Sequence, residues 1–470
     1  MKIIRVISTI LITVLVSLGL AQKAWGFCGF YVAKADTKLY NQTSQVVIAR
    51  DGDRTVLTMA NDYQGDVKDF AMVVPVPVVL QREQVNVGDP KIIERLDQFS
   101  APRLVEYFDP NPCADNRRYL ESAPADLGRP GGTRGPDAYD RSLGVTVEER
   151  FSVGEYNILI LSAKDSRGLE TWLRRNGYKI PRGANRLLRP YIRQNMKFFV
   201  AKVNLEEFDP PKVNLEEFDP PNVNLHEFDP PNVNLHQFDK TAYQRLRPLQ
   251  MAYESPRFML PIRLGMMNAT GEQDLIVYML SPRGQAEITN YRTVKIPSNT
   301  EIPVFVKAEF GDFYTAMFQT AYEGEGKKVA FLEYAWDMAS CDPCSANPLN
   351  REELRKSGVF WINSGRTNRR PNNVYITRLH VRYTRDTFPE DLMFQETSNR
   401  ELFQGRYILR HPFTGEMSCR AGVDYQQSLN RRLQQEAQTL AELTGWDIDE
   451  IRNKIDFPDI KPIPWWRHLW

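Results

Sequence analysis

At 470 residues the chain is long enough for two or three ordinary domains, or for one large domain with insertions. Hydrophobic residues at 42% and charged residues at 25% are globular proportions, which exclude a disordered chain as the default. With 60 Lys and Arg against 59 Asp and Glu, there is no bulk electrostatic case for a nucleic-acid partner.

Residues 1–26 read as a secretory signal. Lys2 and Arg5 form a positive start, Ile7 to Ala21 is an apolar run, and Ala24-Trp25-Gly26 puts small residues where signal peptidase looks. The apolar run is interrupted and shorter than the about 18 residues of a retained span, so cleavage is expected. Phe27 is too large for a lipoprotein signal ahead of Cys28. Removal takes away Lys2, Arg5 and Lys23 and brings the net charge from +1 to −2. No later segment is apolar enough to span a bilayer. An extracytoplasmic protein, periplasmic or secreted, is therefore expected.

From Phe27 the pattern is largely β. Ser44 to Met59 reads as a hairpin around Asp51-Gly52. In DFAMVVPVPVVL, Pro75 and Pro77 each lack a donor and suit an edge or a bulge. Asp89 caps a helix with Pro90 in its first turn, and Ile92, Ile93, Leu96 and Phe99 share one face. Residues 111–144 are crowded with Pro and Gly and read as a long exposed loop. Strand pattern returns in VTVEERFSVGEYNILILSA, followed by a helix around Leu169 to Arg175 that Asn176-Gly177 terminates.

Between Trp172 and Lys202 lie nine basic residues and no acid. A patch for an anionic surface is one reading, and solvated helix faces are the plainer one. Residues 202–240 then carry a decapeptide array. KVNLEEFDPP occurs twice without change, followed by NVNLHEFDPP and NVNLHQFDK. Ten residues are too few for a stacking repeat, and each Pro-Pro pair forbids helix, so the array reads as an extended acidic insertion.

Beyond Tyr243 strands are expected at Phe258–Met267, Leu275–Leu280 and Gln285–Ile296, and a helix at Phe310–Tyr322. An apolar strand then enters Cys341-Asp342-Pro343-Cys344. A short helix at Arg351–Ser357 and strands at Val374–Thr384, Leu392–Thr397 and Phe403–Leu409 follow. The end is helical: Leu429, Leu433, Ala437, Leu440 and Leu443 share a face that Gly445 closes, and Ile448, Ile451 and Ile455 mark a second helix. Three tryptophans in the last six residues suggest a terminus that packs down.

Known catalytic patterns are mostly missing from the sequence. His226-Glu227 starts like a zinc-protease helix, but Pro230 stands where the second His belongs. There is no GxSxG elbow, and five His leave little for a triad or a metal cluster. No catalytic, cofactor-binding or metal residue is assigned, and no cofactor is expected. The disulfide candidates are Cys28, Cys113, Cys341, Cys344 and Cys419, which allow fifteen two-disulfide maps and leave one thiol over. Cys341 and Cys344 are also the redox candidates. A strand leading into CxPC resembles the thioredoxin site, but Trp336 is separated from Cys341 by four residues and Pro348 would cut a following helix short. A structural disulfide is the preferred reading of the pair.

Several segments together resemble the bacterial exported family catalogued as domain of unknown function 2330. They are FCGFYVAKAD, DFAMVVPVPVVL, APRLVEYFDPNPC, LRPLQMAYESPRFMLPIRLG, AWDMASCDPC and TFPEDLMFQET, and the resemblance runs from Phe27 to about Gly405. It implies a bacterial extracytoplasmic protein and carries no catalytic residues with it. The decapeptide array departs from the family pattern as an insertion.

The expected fold is α+β: mainly antiparallel sheet with peripheral helices and a helical C-terminal region. The expected organisation is a signal at 1–26, a main α+β domain at 27–415 and a helical region at 416–470. The expected function is a non-catalytic binding or structural role in the cell envelope, toward a partner or ligand the residues do not name. The alternative is thiol–disulfide exchange, with Cys341 attacking and Cys344 resolving; a hydrolase without short motifs is a third reading.

Overall fold

The computed structural model describes residues 30–33, 44–63, 69–113, 145–176, 183–204, 244–245, 247–267, 271–340, 347–362, 373–417 and 419–458. The chain begins with β1 (Phe30–Ala33), β2 (Ser44–Asp51), β3 (Arg54–Tyr63), β4 (Asp69–Val76) and β5 (Val85–Val87). Helix α1 (Pro90–Ser100), β6 (Arg103–Phe108), β7 (Val145–Val153) and β8 (Tyr156–Ala163) follow. Next come α2 (Ser166–Arg175), α3 (Ala184–Arg193), β9 (Lys197–Asn204), β10 (Gln244–Arg245), β11 (Leu249–Glu254), β12 (Met259–Leu260) and β13 (Gln273–Ser281). β14 (Ala286–Ile288), β15 (Arg292–Lys295) and β16 (Thr300–Ile302) lead to α4 (Phe310–Gly324), β17 (Val329–Asp337) and α5 (Arg351–Lys356). The chain then runs through β18 (Tyr375–Tyr383), β19 (Leu392–Glu396), β20 (Phe403–Gln404) and β21 (Arg406–His411) to α6 (Arg420–Thr444) and α7 (Ile448–Asn453).

Local chemistry explains many boundaries. Asp89 accepts a hydrogen bond from the Lys91 N–H at the start of α1, with Pro90 in the first turn. Asn350 and Glu353 form a reciprocal capping box on α5. Gly445 closes α6 with a left-handed φ of 71°. The β2–β3 turn needs the same backbone freedom, and Gly52 supplies it with φ 62°.

Two sheets face each other. The smaller has the order β1-β4-β9-β8-β7; the larger runs β15-β17-β18-β13-β2-β3-β11-β5, with β10 and β20 pairing at its side. Alternation gives each sheet an inner face, and these meet in one core: Met72, Val74, Ile160 and Phe199 from the smaller sheet, Val46, Ile48, Val277 and Leu379 from the larger. Helices α2 and α3 cover the outer face of the smaller sheet through Leu169, Leu173, Leu188 and Tyr191. Helices α1 and α5 cover part of the larger sheet, and α4, α6 and α7 pack beside it on β17 and β21. The result is an α+β molecule layered helix, sheet, sheet, helix.

Most pairings are antiparallel, but β2–β13, β15–β17, β16–β21 and β21–β6 are parallel. Among the described residues β1 pairs with Phe70 to Val73, and opposite Pro75 the described neighbour is Phe198 of β9. The expected strand at Phe258–Met267 is corrected: only Met259–Leu260 is strand, and Gly265–Met267 is a 3-10 turn. Pro261 cannot donate to a ladder, and the N–H groups of Ile262 and Arg263 go to the Asp391 carboxylate instead. The expected strand at Gln285–Ile296 is divided, since β14 pairs with β19 and β15 with β17. Most of the loop at 111–144, nearly all of the array at 202–240, Gly177 and the terminal tryptophans lie outside the described residues.

Candidate functional site

Of the predicted cysteines, Cys113 and Cys419 are joined, with Cα atoms 5.9 Å apart and 306 positions between them in sequence. Cys28, Cys341 and Cys344 lie outside the described residues. β17 brings the chain to within a few residues of the Cys-Asp-Pro-Cys segment. There the Met338 N–H donates to the Val374 carbonyl and the Trp336 indole N–H to Ser340 O. Cys419 also caps α6, its sulfur accepting from the Gly422 N–H at 3.2 Å. Beside this staple, Asp109 receives the Tyr425 hydroxyl at 2.6 Å and pairs with Arg432 at 2.8 Å. Glu436, one turn on from Arg432, is buried and lies 3.3 Å from the Arg432 Nε without hydrogen-bond geometry, and burial, opposed by the Arg432 charge, pushes its carboxyl up to about 7.

The centre of the larger sheet holds a charged cluster. A bulge between Leu332 and Tyr334 in β17 turns Glu333 toward the helices. Glu333 is 1% exposed and receives Arg378 Nε at 2.6 Å, His380 Nδ1 at 2.9 Å and the Tyr314 hydroxyl. His380 Nε2 lies 3.0 Å from Asp274, which Arg382 holds through two contacts of 2.8 Å. Arg378 reaches Asp97 of α1 at 2.6 Å, and Phe318 stacks on the His380 ring at 3.9 Å. Burial alone would raise the Glu333 carboxyl, but the charges of Arg378 and His380 outweigh it and hold the group down at about 2. Burial would lower the His380 imidazole, and Glu333 and Asp274 reverse that, raising it above 6.5. Three carboxylates, two guanidiniums and an imidazolium form a cluster of zero net charge. Their donors and acceptors are directed at one another.

A cleft of about 250 Å3 opens at the β2–β3 turn and has a different character. Phe258, Phe394 and Pro256 form its apolar wall, with the two rings 5.3 Å apart. Arg50 is buried beneath it, with its guanidinium 4.5 Å from the Phe258 ring centre. Its Nη1 donates to Thr55 Oγ1 at 2.6 Å and its Nη2 to the Ser255 carbonyl at 3.1 Å. Nη2 also lies 3.8 Å from Asp53 Oδ1, an ion pair longer than a hydrogen bond, and a guanidinium has five N–H donors, so these two bonds do not use them all. Opposite, Glu396 accepts from Ser281 Oγ at 2.8 Å and from the Gly52 N–H at 3.0 Å. Burial raises its carboxyl, with Ser281 and Arg283 opposing. Arg283 stands half-exposed at the rim, 3.7 Å from both Glu396 and Asp51. A second, larger cavity of about 420 Å3 lies between Val56, Gln84, Gln250 and Phe360. Among the described residues no group of three or more His, Cys, Asp or Glu is placed to hold a metal.

None of Arg50, Glu396, Glu333, His380 or Asp274 is singled out by sequence reasoning. A signal was present in YITRLHVRY, where Arg378, His380 and Arg382 alternate with apolar residues, but that pattern reads as a solvent face. The family segments do converge. Asp391 of TFPEDLMFQET receives the N–H groups of Ile262 and Arg263, the Arg263 Nε at 3.1 Å and the Tyr191 hydroxyl at 2.7 Å. It thereby ties MLPIRLG to α3.

Among the described residues no helix is long and apolar enough to cross a membrane. No curated protein and no solved structure matches the chain. Residues 22–220 and 226–395 match a family described as uncharacterized protein conserved in bacteria, and the break at 221–225 falls inside the decapeptide array. With well over half of its length matched, the chain belongs to the DUF2330 family.

Proposed function

We propose that the protein works in the cell envelope by binding, without catalysis, and that the Arg50 cleft takes a small carboxylate-bearing ligand. The observation that carries this reading is the contrast between the two charged sites. The central cluster spends its charges on short internal bonds, whereas in the cleft Arg50 and Arg283 meet Asp53, Glu396 and Asp51 only at 3.7–3.8 Å, beside an aromatic wall. Export is supported by the amino-terminal pattern and by the Cys113–Cys419 bridge, because disulfides persist outside the reducing cytoplasm.

Thermal unfolding with L-phenylalanine and with succinate tests the cleft. A ligand that binds only the folded state raises the midpoint in proportion to its occupancy. At least one of the two should raise the midpoint, and Arg283→Gln, a half-exposed position, should weaken that shift. No shift with either probe, or an equal shift in the variant, would remove the cleft from consideration.

One observation keeps thiol–disulfide exchange as a second reading. Pairing of Cys113 with Cys419 leaves only Cys28 to compete for Cys341 and Cys344. A redox titration of that pair distinguishes the roles: a potential near about −200 mV supports exchange, and one below about −300 mV supports a structural bridge.

A further inference from the structure

The outer faces of α2 and α3 carry a set of charges that neither the cleft nor the central cluster uses. Arg186, Arg189 and Arg193 are exposed and fall three and four residues apart, which aligns them in one stripe along α3. On α2, Arg167 and Arg175 are exposed as well. Among the described residues no carboxylate lies within ion-pair distance of these five arginines. The acids on the same pair of helices are committed. Asp165 caps α2 by accepting from the N–H groups of Arg167 and Gly168, and Glu170 pairs with Arg174 at 2.8 Å.

An ordinary solvated helix face interleaves both signs. The α3 face shows one sign only, and on α2 the acids Asp165 and Glu170 are engaged locally, on a chain with nearly equal numbers of acids and bases. The helices cannot turn the arginines inward, because Leu169, Leu173, Leu188 and Tyr191 fix their other side on the smaller sheet. Trp172, Leu187 and Ile192 pack at the margin of that core and remain partly exposed. Neither cavity described above is lined by residues of α2 or α3. The face therefore offers a cationic stripe bordered by partly exposed apolar groups, with no described groove for an extended chain to enter.

We propose that the α2–α3 face docks the protein on an anionic phospholipid surface. Arginines contact lipid phosphates, and Trp172 sits at the level where aromatic side chains favour the interface. The attraction is electrostatic, so it falls with ionic strength as the Debye length shortens. Each basic residue near an anionic surface strengthens partitioning by about fivefold, so three arginines together account for about a hundredfold.

Sedimentation of the full chain with phosphatidylcholine vesicles, with and without phosphatidylglycerol, tests this. The difference between the two vesicle types isolates the anionic component from any apolar insertion near the chain start. The expected result is binding that requires phosphatidylglycerol, is lost in high salt, and weakens by about a hundredfold in R186Q/R189Q/R193Q. The corresponding Arg→Lys triple variant should retain most of the binding, because the interaction needs charge more than geometry. Thermal unfolding of both variants should match the parent, since all three side chains are exposed. Equal sedimentation with both vesicle types at low salt would overturn the proposal, as would unchanged binding of the Gln variant. Displacement from vesicles by dextran sulfate at matched charge, with tighter retention on the polymer, would instead assign the face to an anionic polysaccharide.

Discussion

Glu436 shows how one buried group sets a pH dependence. Its surroundings are Arg432 on its own helix, Glu301 on β16, Arg410 on β21 and Asp109 after β6, and neither of its oxygens finds a hydrogen bond. The folded-state carboxyl titrates at about 7 against 4.5 for the ordinary group, so the folded state holds the proton more tightly. This contribution to stability is intact below pH 4.5 and is lost as pH rises toward 7. Glu436→Gln should be more stable than the parent at pH 8 by about 1–3 kcal/mol and nearly equal near pH 4.5, read from urea melts at both values. His380 acts in the same direction: its raised imidazole contributes below 6.5, and that contribution fades as pH rises through its folded value. Glu333 acts oppositely, contributing above 4.5 and losing that contribution as pH falls toward 2. Arg378→Met should cost about 3–5 kcal/mol, because it leaves Asp97 without its cation and the buried Glu333 with His380 alone. Equilibrium unfolding at pH 7 measures it.

At the scale of elements, caps and alternation act locally and could be read from the residues. Asp89-Pro90 opens α1, and Gly445 closes α6, as their chemistry requires. Reading failed where a strand's usefulness depended on its neighbour. β18 alternates as a half-exposed strand should, yet α1 and α4 cover its polar side, so Arg378 and His380 are buried. The short strands β12 and β14 depend on β19 for pairing, and nothing within their own residues specifies that partner. Gly358 illustrates a further constraint, a backbone φ of 94° with an added Cβ falling 2.6 Å from the Val56 side chain. Gly358→Ala should destabilise by about 1–3 kcal/mol, from left-handed strain plus displacement of Val56. A shift in urea midpoint at unchanged m-value would show it.

For the whole molecule, the helical C-terminal region is held to the rest by packing and by a covalent bond. Ala437 and Leu440 of α6 and Ile451 of α7 share a core with Phe313 and Met317 of α4. The Cys113–Cys419 bridge closes a loop of 306 positions beside the Asp109–Arg432 pair. Replacing both cysteines by Ser should lower stability by about 2–5 kcal/mol, chiefly by restoring freedom to the unfolded chain. Under reducing conditions the parent should approach the variant, and the variant should not respond to reductant through this bridge.

The residues alone determined the positions of most helices and strands, the α+β class and the family, because these depend on periodicity, capping and short segments near in sequence. They also marked five cysteines and a basic run. Tertiary structure alone decided which cysteine meets Cys113, that the polar side of β18 is interior, and that Arg186, Arg189 and Arg193 of the basic run form one outward stripe of α3. Propensity describes a residue's own backbone and immediate neighbours. Partner choice across hundreds of residues is settled only when the two sheets and their covering helices close on one another.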